Sequence, residues 1–187
     1  MTLFIDWLRK KHHYDRYEIV RGLIKQKGDN LLDIGCGAPA NCMKEGSFLR
    51  FMGYGQGIDI EPRKVPFPFK IGDIMDIPFP AKKFDVVTAI EVIEHIDNPQ
   101  KALKEIHRIL KKGGIFVMTT PNNNTLFTAF WFFWERSFGN EWHHTHLTTY
   151  NKDQWLNMIR KTKLFKIRKV IDYWNVNTIV QLEKIGN

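Results

Sequence analysis

The chain has 187 residues, of which 43% are hydrophobic and 26% charged, a composition typical of one folded domain that excludes disorder and fibrous repeats. Two cysteines, Cys36 and Cys42, are too few for a secreted disulfide scaffold. The net charge of +8 is concentrated in residues 1–28 and 151–187. Solvated helix and strand faces explain such basic ends, although nucleic acid and an anionic membrane surface also attract them.

No stretch of the sequence is apolar for long enough to span a bilayer, since the longest apolar run covers only residues 126–134. The N-terminus is charged by its sixth residue, so we expect no signal peptide and a cytoplasmic location. We also expect a single domain over residues 1–187, with an N-terminal helical segment at 1–28 and an inserted segment at 125–150.

The first half of the chain alternates helical patterns with short apolar strands. Its predicted elements are a helix within residues 14–27, a strand at 31–34, a helix at 41–52, and strands at 57–60 and 67–71. Gly35 and Gly37 predict a tight turn after the first strand. Because only residues 61–66 separate the second strand from the third, we expect the usual crossover helix to be absent or reduced to a turn.

The second half continues the alternation and ends in two consecutive strands. Its predicted elements are a strand at 84–89, a helix at 99–110, a strand at 115–119, a helix at 151–161, and strands at 164–173 and 176–183. Gly113 and Gly114 are predicted to end the first of these helices, and Asn151 with Gln154 to cap the second. A short turn around Asn175 makes the last two strands antiparallel neighbours.

This alternation predicts an α/β fold with a doubly wound, mostly parallel, seven-stranded sheet. Helices are expected on both faces of the sheet, and one antiparallel strand near its edge. Ligands of such sheets bind at the carboxyl ends of the strands, where the winding reverses. The residues that follow the strands are therefore the first candidates for a site.

Acidic residues and glycines follow the first three strands. Gly35 and Gly37 let the backbone come close to a ligand. Asp59, after the second strand, can accept both hydrogens of a ribose diol. Asp73, after the third strand, can accept from an exocyclic amine, and Asp33 can hold an ammonium group. Together they predict a pocket for an adenosine with a zwitterionic tail rather than for a pyrophosphate.

Five motifs carry a resemblance to a known family. They are LLDIGCG at 31–37, GIDI at 57–60, GDIMDIPF at 72–79, FDVV at 84–87 with the Glu-His pair at 94–95, and RILKKGG at 108–114. In this order and spacing they resemble class I S-adenosylmethionine-dependent methyltransferases, the ubiquinone-biosynthesis and type 11 enzymes in particular. The resemblance covers residues 31–124 and implies a Rossmann-like fold with S-adenosylmethionine as cofactor.

The resemblance also implies a role for individual residues. The implied contacts are Asp33, Gly35, Cys36, Gly37 and Ile90 for the methionine part, Asp59 for the ribose, and Ile60, Asp73 and the backbone of Ile74 for the adenine. Pro39 departs from the family, which usually has a third glycine there. Gly35, Gly37 and Ala40 also fit a dinucleotide-binding pattern, so an NAD-dependent dehydrogenase remains a rival. A binding subunit without catalysis is a further alternative.

A cluster of possible metal ligands follows the fourth strand. Glu91, Glu94 and His95 would share one face if this segment were helical, and His146 comes after the fifth strand. Carboxylates and imidazoles of this kind can hold a divalent metal. The pattern is similar to that of ubiquinone-biosynthesis O-methyltransferases and of small-RNA 2′-O-methyltransferases, where it resembles a metal site. The Glu-His pair also occurs in family members with no implied metal, and His95 or His146 is then a candidate general base.

Seven aromatic side chains lie within the twelve residues Phe127–Phe138. They fit an apolar lid over a lipid-like or aromatic acceptor, a patch that rests on a membrane interface, or a helix packed on the sheet or on a second subunit. A lipid-like acceptor fits better than RNA, because the first basic residue among these rings is Arg136. The sequence therefore predicts methyl transfer, most simply to oxygen of a small, aromatic or lipid-like acceptor.

Overall fold

The computed structural model describes residues 2–24, 28, 30–37, 47–122 and 150–186. Its helices are α1 (Thr2–Ile24), α2 (Phe48–Met52), α3 (Pro99–Ile109) and α4 (Lys152–Thr162), with a short 3₁₀ helix at Ile93–His95. Its strands are β1 (Leu31–Ile34), β2 (Gln56–Asp59), β3 (Phe69–Ile71), β4 (Phe84–Ile90), β5 (Leu110–Pro121), β6 (Phe165–Tyr173) and β7 (Asn177–Lys184). The aromatic segment Phe127–Phe138, His146 and the first part of the helix predicted at 41–52 lie outside the described residues.

The described strands form one seven-stranded sheet in the order β3-β2-β1-β4-β5-β7-β6. β1 pairs in parallel with both β2 and β4, so the winding reverses between β1 and β4. β7 runs antiparallel to both of its neighbours, β5 and β6. The predicted doubly wound sheet with one antiparallel strand near its edge is confirmed.

The connection between β2 and β3 is also as predicted. Residues 60–68, all of which the structure describes, contain no helix. The two strands still pair in parallel, with Gly57 opposite Phe69 and Asp59 opposite Ile71. The end of β2 is therefore followed by an irregular loop that begins at the exposed Ile60.

Helices cover both faces of the sheet. α3 packs on one face through Ala102, Leu103, Ile106 and Ile109, whose side chains are completely buried. Asn98 caps its first turn by accepting a hydrogen bond from the Lys101 backbone N–H at 3.0 Å. α1 and α2 form a second apolar cluster with the other side chains of the sheet. These two layers fix the strand ends that carry the candidate site.

α1 begins well before the first residue of its apolar pattern. The pattern predicted a helix within residues 14–27, whereas the helix starts at Thr2. Tyr17, Val20 and Ile24 bury its inner face, and the Gln181 side chain of β7 donates a hydrogen bond to the Leu23 carbonyl at 2.8 Å. These contacts hold the second half of α1 against the sheet, and Arg16 and Tyr17 lie beside the carboxyl ends of the central strands.

The prediction that Gly113 and Gly114 end a helix was wrong. α3 ends at Ile109, and Leu110 is already extended, with φ −71° and ψ 142°. The register changes here: Phe84 pairs with Leu110, but Val86 pairs with Ile115. The extra residues on β5 form a bulge, and Gly113 adopts φ +70° within it. The two glycines therefore bend a strand rather than cap a helix.

The predicted turn at Asn175 is confirmed. Trp174 and Asn175 have φ values of +53° and +57°, and the Val176 N–H donates to the Tyr173 carbonyl at 3.2 Å. Two consecutive positive φ values define the tight hairpin turn that matches the twist of antiparallel strands.

Among the described helices, none has both the length and the apolar character needed to cross a bilayer.

The predicted cap of α4 is present as a full capping box. The Asn151 side chain accepts from the Gln154 N–H at 3.0 Å, and the Gln154 side chain accepts from the Asn151 N–H at 2.9 Å. We expect Asn151→Ala to lower the free energy of unfolding by about 1 kcal/mol, because it leaves an N-terminal donor of the helix unsatisfied. Urea denaturation measures the loss. Asn157→Ala, at an exposed position inside the same helix, is the control and should leave the stability unchanged or slightly higher.

Candidate functional site

The candidate site lies where the winding of the sheet reverses. β1 separates β2 and β4 there, and the carboxyl ends of these parallel strands meet at one edge. The predicted site residues Asp33, Asp59 and Ile90 stand at the ends of these three strands. The fold therefore brings together residues that lie far apart in the sequence.

The loop after β1 needs glycine at two positions. Gly35 has φ +65° and Gly37 has φ +40°, which side chains with a Cβ rarely adopt. A Cβ on Gly35 would also overlap the Val92 side chain. Between the glycines, the Cys36 N–H donates to the Ile58 carbonyl of β2 at 3.1 Å. Burial, together with Asp33 and Asp59, raises the pKa of the Cys36 thiol to about 12, so this thiol contributes packing rather than reactivity.

Asp59 ties the glycine loop to the end of β2. Its carboxylate accepts hydrogen bonds from the Gly37 N–H at 3.0 Å and from the Glu61 N–H at 3.1 Å. Arg63 adds a longer charge contact of 3.8 Å. Two backbone bonds use about half of the lone pairs of a carboxylate, so Asp59 keeps acceptor capacity for a diol. Ile60 is 71% exposed beside it, which leaves its side chain available to an aromatic base.

Asp73 stands in a turn just beyond β3. Its carboxylate accepts from the Met75 N–H at 2.7 Å, and its carbonyl accepts from the Asp76 N–H at 3.0 Å. The Ile74 side chain is buried in the core, so the part of Ile74 that can face a ligand is its backbone. The Gly72 N–H donates to the Asp59 carbonyl at 2.9 Å, which keeps this turn next to the end of β2.

Asp33 is a buried carboxyl group at the end of β1. It is 3% exposed and accepts a hydrogen bond of 2.6 Å from the Thr88 hydroxyl of β4. Burial raises the pKa of Asp33 to about 7; the Thr88 bond opposes this shift and the charge of Asp59 adds to it. Asp33 therefore changes charge near neutral pH, and a cationic group placed beside it would stabilise its ionised form.

A cavity of about 140 Å³ opens beside Asp33, between α1 and the strand ends. It is lined by His13, Arg16, Tyr17, Asp33, Gly35, Cys36, Ser47, Phe48 and Ile90. Four of these, Asp33, Gly35, Cys36 and Ile90, are among the predicted cofactor residues. The cavity thus has a carboxyl group and a guanidinium group in its walls, which suits a small zwitterionic group.

Arg16 is a cavity residue that the sequence patterns did not predict. Its residue is only 5% exposed, and its Nη2 donates to His13 Nδ1 at 2.9 Å. The signal was present in the sequence, because Arg16 lies four residues before Val20 and eight before Ile24, on the buried face of α1. A cation at such a position is unusual and needs a partner.

Glu91 does not lie on a helix with Glu94 and His95, as the spacing had suggested. Glu91 has φ +56° and its N–H donates to the Thr119 carbonyl at 3.1 Å, while the 3₁₀ helix begins only at Ile93. Its side chain accepts from the Thr119 hydroxyl at 2.7 Å and from the Asn177 amide at 2.9 Å. Burial acts to raise the pKa of Glu91, but Arg16, Asn177 and Thr119 outweigh it and the pKa lies below its usual value.

Glu94 is a buried carboxyl group close to Glu91. It is buried beside Thr120, whose side chain points to the opposite face of the strand from that of Thr119. The Thr120 hydroxyl and the Glu94 backbone N–H act to lower the pKa of Glu94, although neither carboxyl oxygen makes a hydrogen bond of standard length and angle within the described part of the chain. Burial, and next the charge of Glu91, raise the pKa of Glu94 well above its usual value.

The three proposed metal ligands that the structure describes, Glu91, Glu94 and His95, are not placed to share a metal ion. Within residues 2–24, 28, 30–37, 47–122 and 150–186, no three His, Cys, Asp or Glu side chains are placed to share a metal ion. His95 is half-buried at the end of the 3₁₀ helix. His146 lies outside the described residues, so its role as a metal ligand or general base stays a prediction.

The sequence is similar to those of known methyltransferases. Residues 11–167 match the methyltransferase domain family, so the chain belongs to that family. Two similar curated proteins are enzymes of quinone pathways by name. The ubiquinone biosynthesis O-methyltransferase of Coxiella burnetii is 27% identical over 118 residues, which cover 58% of this chain and 50% of that protein. The demethylmenaquinone methyltransferase of Alkalihalophilus pseudofirmus is 25% identical over 162 residues, which cover 79% of this chain and 69% of that protein.

The chain thus spans about half the length of the ubiquinone enzyme. Among solved structures, the PH0226 protein of Pyrococcus horikoshii has the same fold, with a TM-score of 0.71 and 19% identity over 92% of this chain and 91% of that one. Family membership implies S-adenosylmethionine as the cofactor and favours a methyltransferase over the rival dehydrogenase. The glycine turn, Asp59, and the Asp33 carboxyl and Arg16 guanidinium groups in the cavity wall are chemically suited to that cofactor.

Proposed function

We propose that this chain binds S-adenosylmethionine across the ends of β1, β2 and β4 and catalyses methyl transfer to an oxygen atom of a small, aromatic or lipid-like acceptor. The observation that carries the proposal is that Asp33 and Arg16 both line one cavity. An amino-acid tail has one ammonium and one carboxylate group, and the cavity offers one partner for each. The sugar and base would then extend toward Asp59 and Asp73.

Each strand end has a separate task in this proposal. Asp33 holds the ammonium group, and the Gly35–Gly37 backbone lets the tail approach the sheet closely. Asp59 accepts the ribose hydroxyls with the lone pairs that its two backbone bonds leave free. Ile60 lies against the adenine, and Asp73 with the Ile74 backbone binds its edge. Ile90 completes the wall next to the methionine part.

When bound, S-adenosylmethionine supplies a methyl group on a sulfonium, which is already activated toward displacement. The chain then has to align an acceptor oxygen in line with that methyl group and exclude water, and alignment alone can supply a large share of the rate. His95, half-buried after β4, is the described candidate for taking the proton of an acceptor hydroxyl. The oxygen acceptor is supported by the similarity to the ubiquinone biosynthesis O-methyltransferase.

Binding and turnover test the proposal separately. We expect titration of S-adenosylmethionine into the folded chain to release heat that fits one site, and NAD to release none. We then expect S-adenosylhomocysteine to form when a catechol or quinol acceptor is added. Binding without turnover across hydroxyl acceptors, with and without added divalent metal, would favour a non-catalytic binding subunit. Absence of binding at millimolar concentration would overturn the proposal.

A further inference from the structure

Arg16 is the most deeply buried cation in the cavity wall, and its donors are only partly used. Its Nη2 bonds to His13, and its Nη1 lies 3.5 Å from the nearer Glu91 oxygen. The Nε atom is buried without a hydrogen-bond partner in the part of the chain that the structure describes. A guanidinium has five N–H donors, so Arg16 can still donate to an anion in the cavity.

Glu91 is fixed from two strands. Thr119 of β5 and Asn177 of β7 both donate to its Oε1, at 2.7 and 2.9 Å. The backbone of Glu91 has φ +56°, and this uncommon conformation is held by the bond from its N–H to the Thr119 carbonyl. The carboxylate is therefore anchored before any ligand arrives, by groups that do not themselves line the cavity.

The distance between Glu91 and Arg16 decides what this anchoring does. At 3.5 Å, the Nη1 and Oε1 atoms attract by charge but lie beyond the usual length of a charge-assisted hydrogen bond. A bidentate salt bridge to Glu91 would occupy two N–H donors of Arg16. The observed contact of 3.5 Å instead orients the guanidinium group and leaves those donors available to a ligand. Glu91 is suited to positioning Arg16 rather than to neutralising it.

We propose that Glu91 is a positioning residue that sets Arg16 to receive the carboxylate of the cofactor tail, and thereby makes the site selective for a cofactor that carries this carboxylate. The proposal rests on the proposed function, because it assumes an S-adenosylmethionine site in this cavity. It replaces the metal-ligand role that the sequence suggested for Glu91. It also explains why a residue beside the cavity takes hydrogen bonds from both β5 and β7.

The test compares two cofactors that differ in one group. S-adenosylmethionine and its decarboxylated analogue share the sulfonium, ammonium, sugar and base, so the ratio of their dissociation constants reports the carboxylate alone. For the wild-type chain we expect S-adenosylmethionine to bind more tightly. Glu91→Gln should reduce that preference by roughly tenfold, mainly by weakening S-adenosylmethionine, because it removes the charge that orients Arg16 and keeps the side-chain shape.

Two further variants make the result specific. In the Arg16→Gln background, Glu91→Gln should change the ratio no further, because Glu91 affects the cofactor carboxylate only through Arg16. Glu105→Gln is the matched control, because it breaks a Glu–Arg pair of 2.7 Å on α3, away from the cavity, and should leave the ratio unchanged.

Equal weakening of both cofactors by Glu91→Gln would overturn the proposal and indicate a general structural role. If that variant does not fold, Asn177→Ala decides instead: it removes one of the two bonds to Glu91, so a reduced ratio supports the proposal and an unchanged ratio overturns it. Failure of the wild-type chain to bind either cofactor is a different outcome, since it contradicts the proposed function itself.

Discussion

Asp59→Ala is expected to weaken the binding of S-adenosylmethionine by about ten- to a hundredfold, the loss of one or two hydrogen bonds to a charged acceptor. The variant removes the group that we assign to the ribose, and it also removes the acceptor that holds the Gly37 and Glu61 N–H groups. Both effects act in the same direction. Calorimetric titration at neutral pH measures the change in dissociation constant.

Asp85→Ala is the matched control for Asp59→Ala. Asp85 is also a hydrogen-bonded acid on a central strand, and it accepts from Asn30 at 3.0 Å and from Lys111 at 2.8 Å. It lies at the start of β4, at the opposite end of the sheet from the candidate site. We expect it to lower the stability without changing cofactor affinity. Equal affinities for the wild type and Asp59→Ala would mean that the ribose does not bind at the end of β2.

The residues at strand ends could be predicted because their positions follow from the order of the strands. Once the apolar runs 31–34 and 57–60 are recognised as neighbouring parallel strands, Asp33 and Asp59 must lie at one edge of the sheet. The absence of a helix between β2 and β3 could also be predicted, because the connection between these strands is too short to contain one. Such features depend on local pattern and on topology, which the sequence contains directly.

Features that depend on tertiary contacts were not predictable in this way. Glu91 has the spacing of a helical ligand, but its N–H finds the Thr119 carbonyl and its backbone turns to φ +56°. Gly113 and Gly114 have the chemistry of a helix end, but the pairing of β5 with β4 places them in a bulge. In both cases a contact between strands that are distant in sequence outweighs the local signal.

The role of Arg16 could be predicted only in part from the sequence. The burial of Arg16 could be suspected from its place on the inner face of α1, yet its neighbours in the cavity come from β1, β4 and α2. Only the packing of α1 across the strand ends makes Arg16 and Asp33 parts of one site. The charge balance of the cavity is therefore a property of the fold rather than of any one motif.

The affinity for S-adenosylmethionine is expected to rise with pH up to about 7, as Asp33 becomes ionised. Burial raises the pKa of Asp33 to about 7, and only the ionised carboxylate attracts the ammonium group of the cofactor. Below this pKa, binding must first remove a proton from Asp33, so the affinity should fall by up to about tenfold per pH unit. Titrations in buffers of different ionisation enthalpy measure the proton released.

Asp33→Asn separates the role of this charge in binding from its effect on stability. For the folded wild type the pKa of Asp33 is raised, so its contribution to stability is present below its unfolded value and is lost as pH rises through about 7. We therefore expect Asp33→Asn, measured at pH about 8, to have a higher free energy of unfolding than the wild type, because it avoids burying a charge. The same variant should bind the cofactor more weakly and without the pH dependence below about 7. A variant that keeps the wild-type pH dependence would show that another group binds the ammonium, whereas a loss of stability at that pH would show that Thr88 needs the charged acceptor.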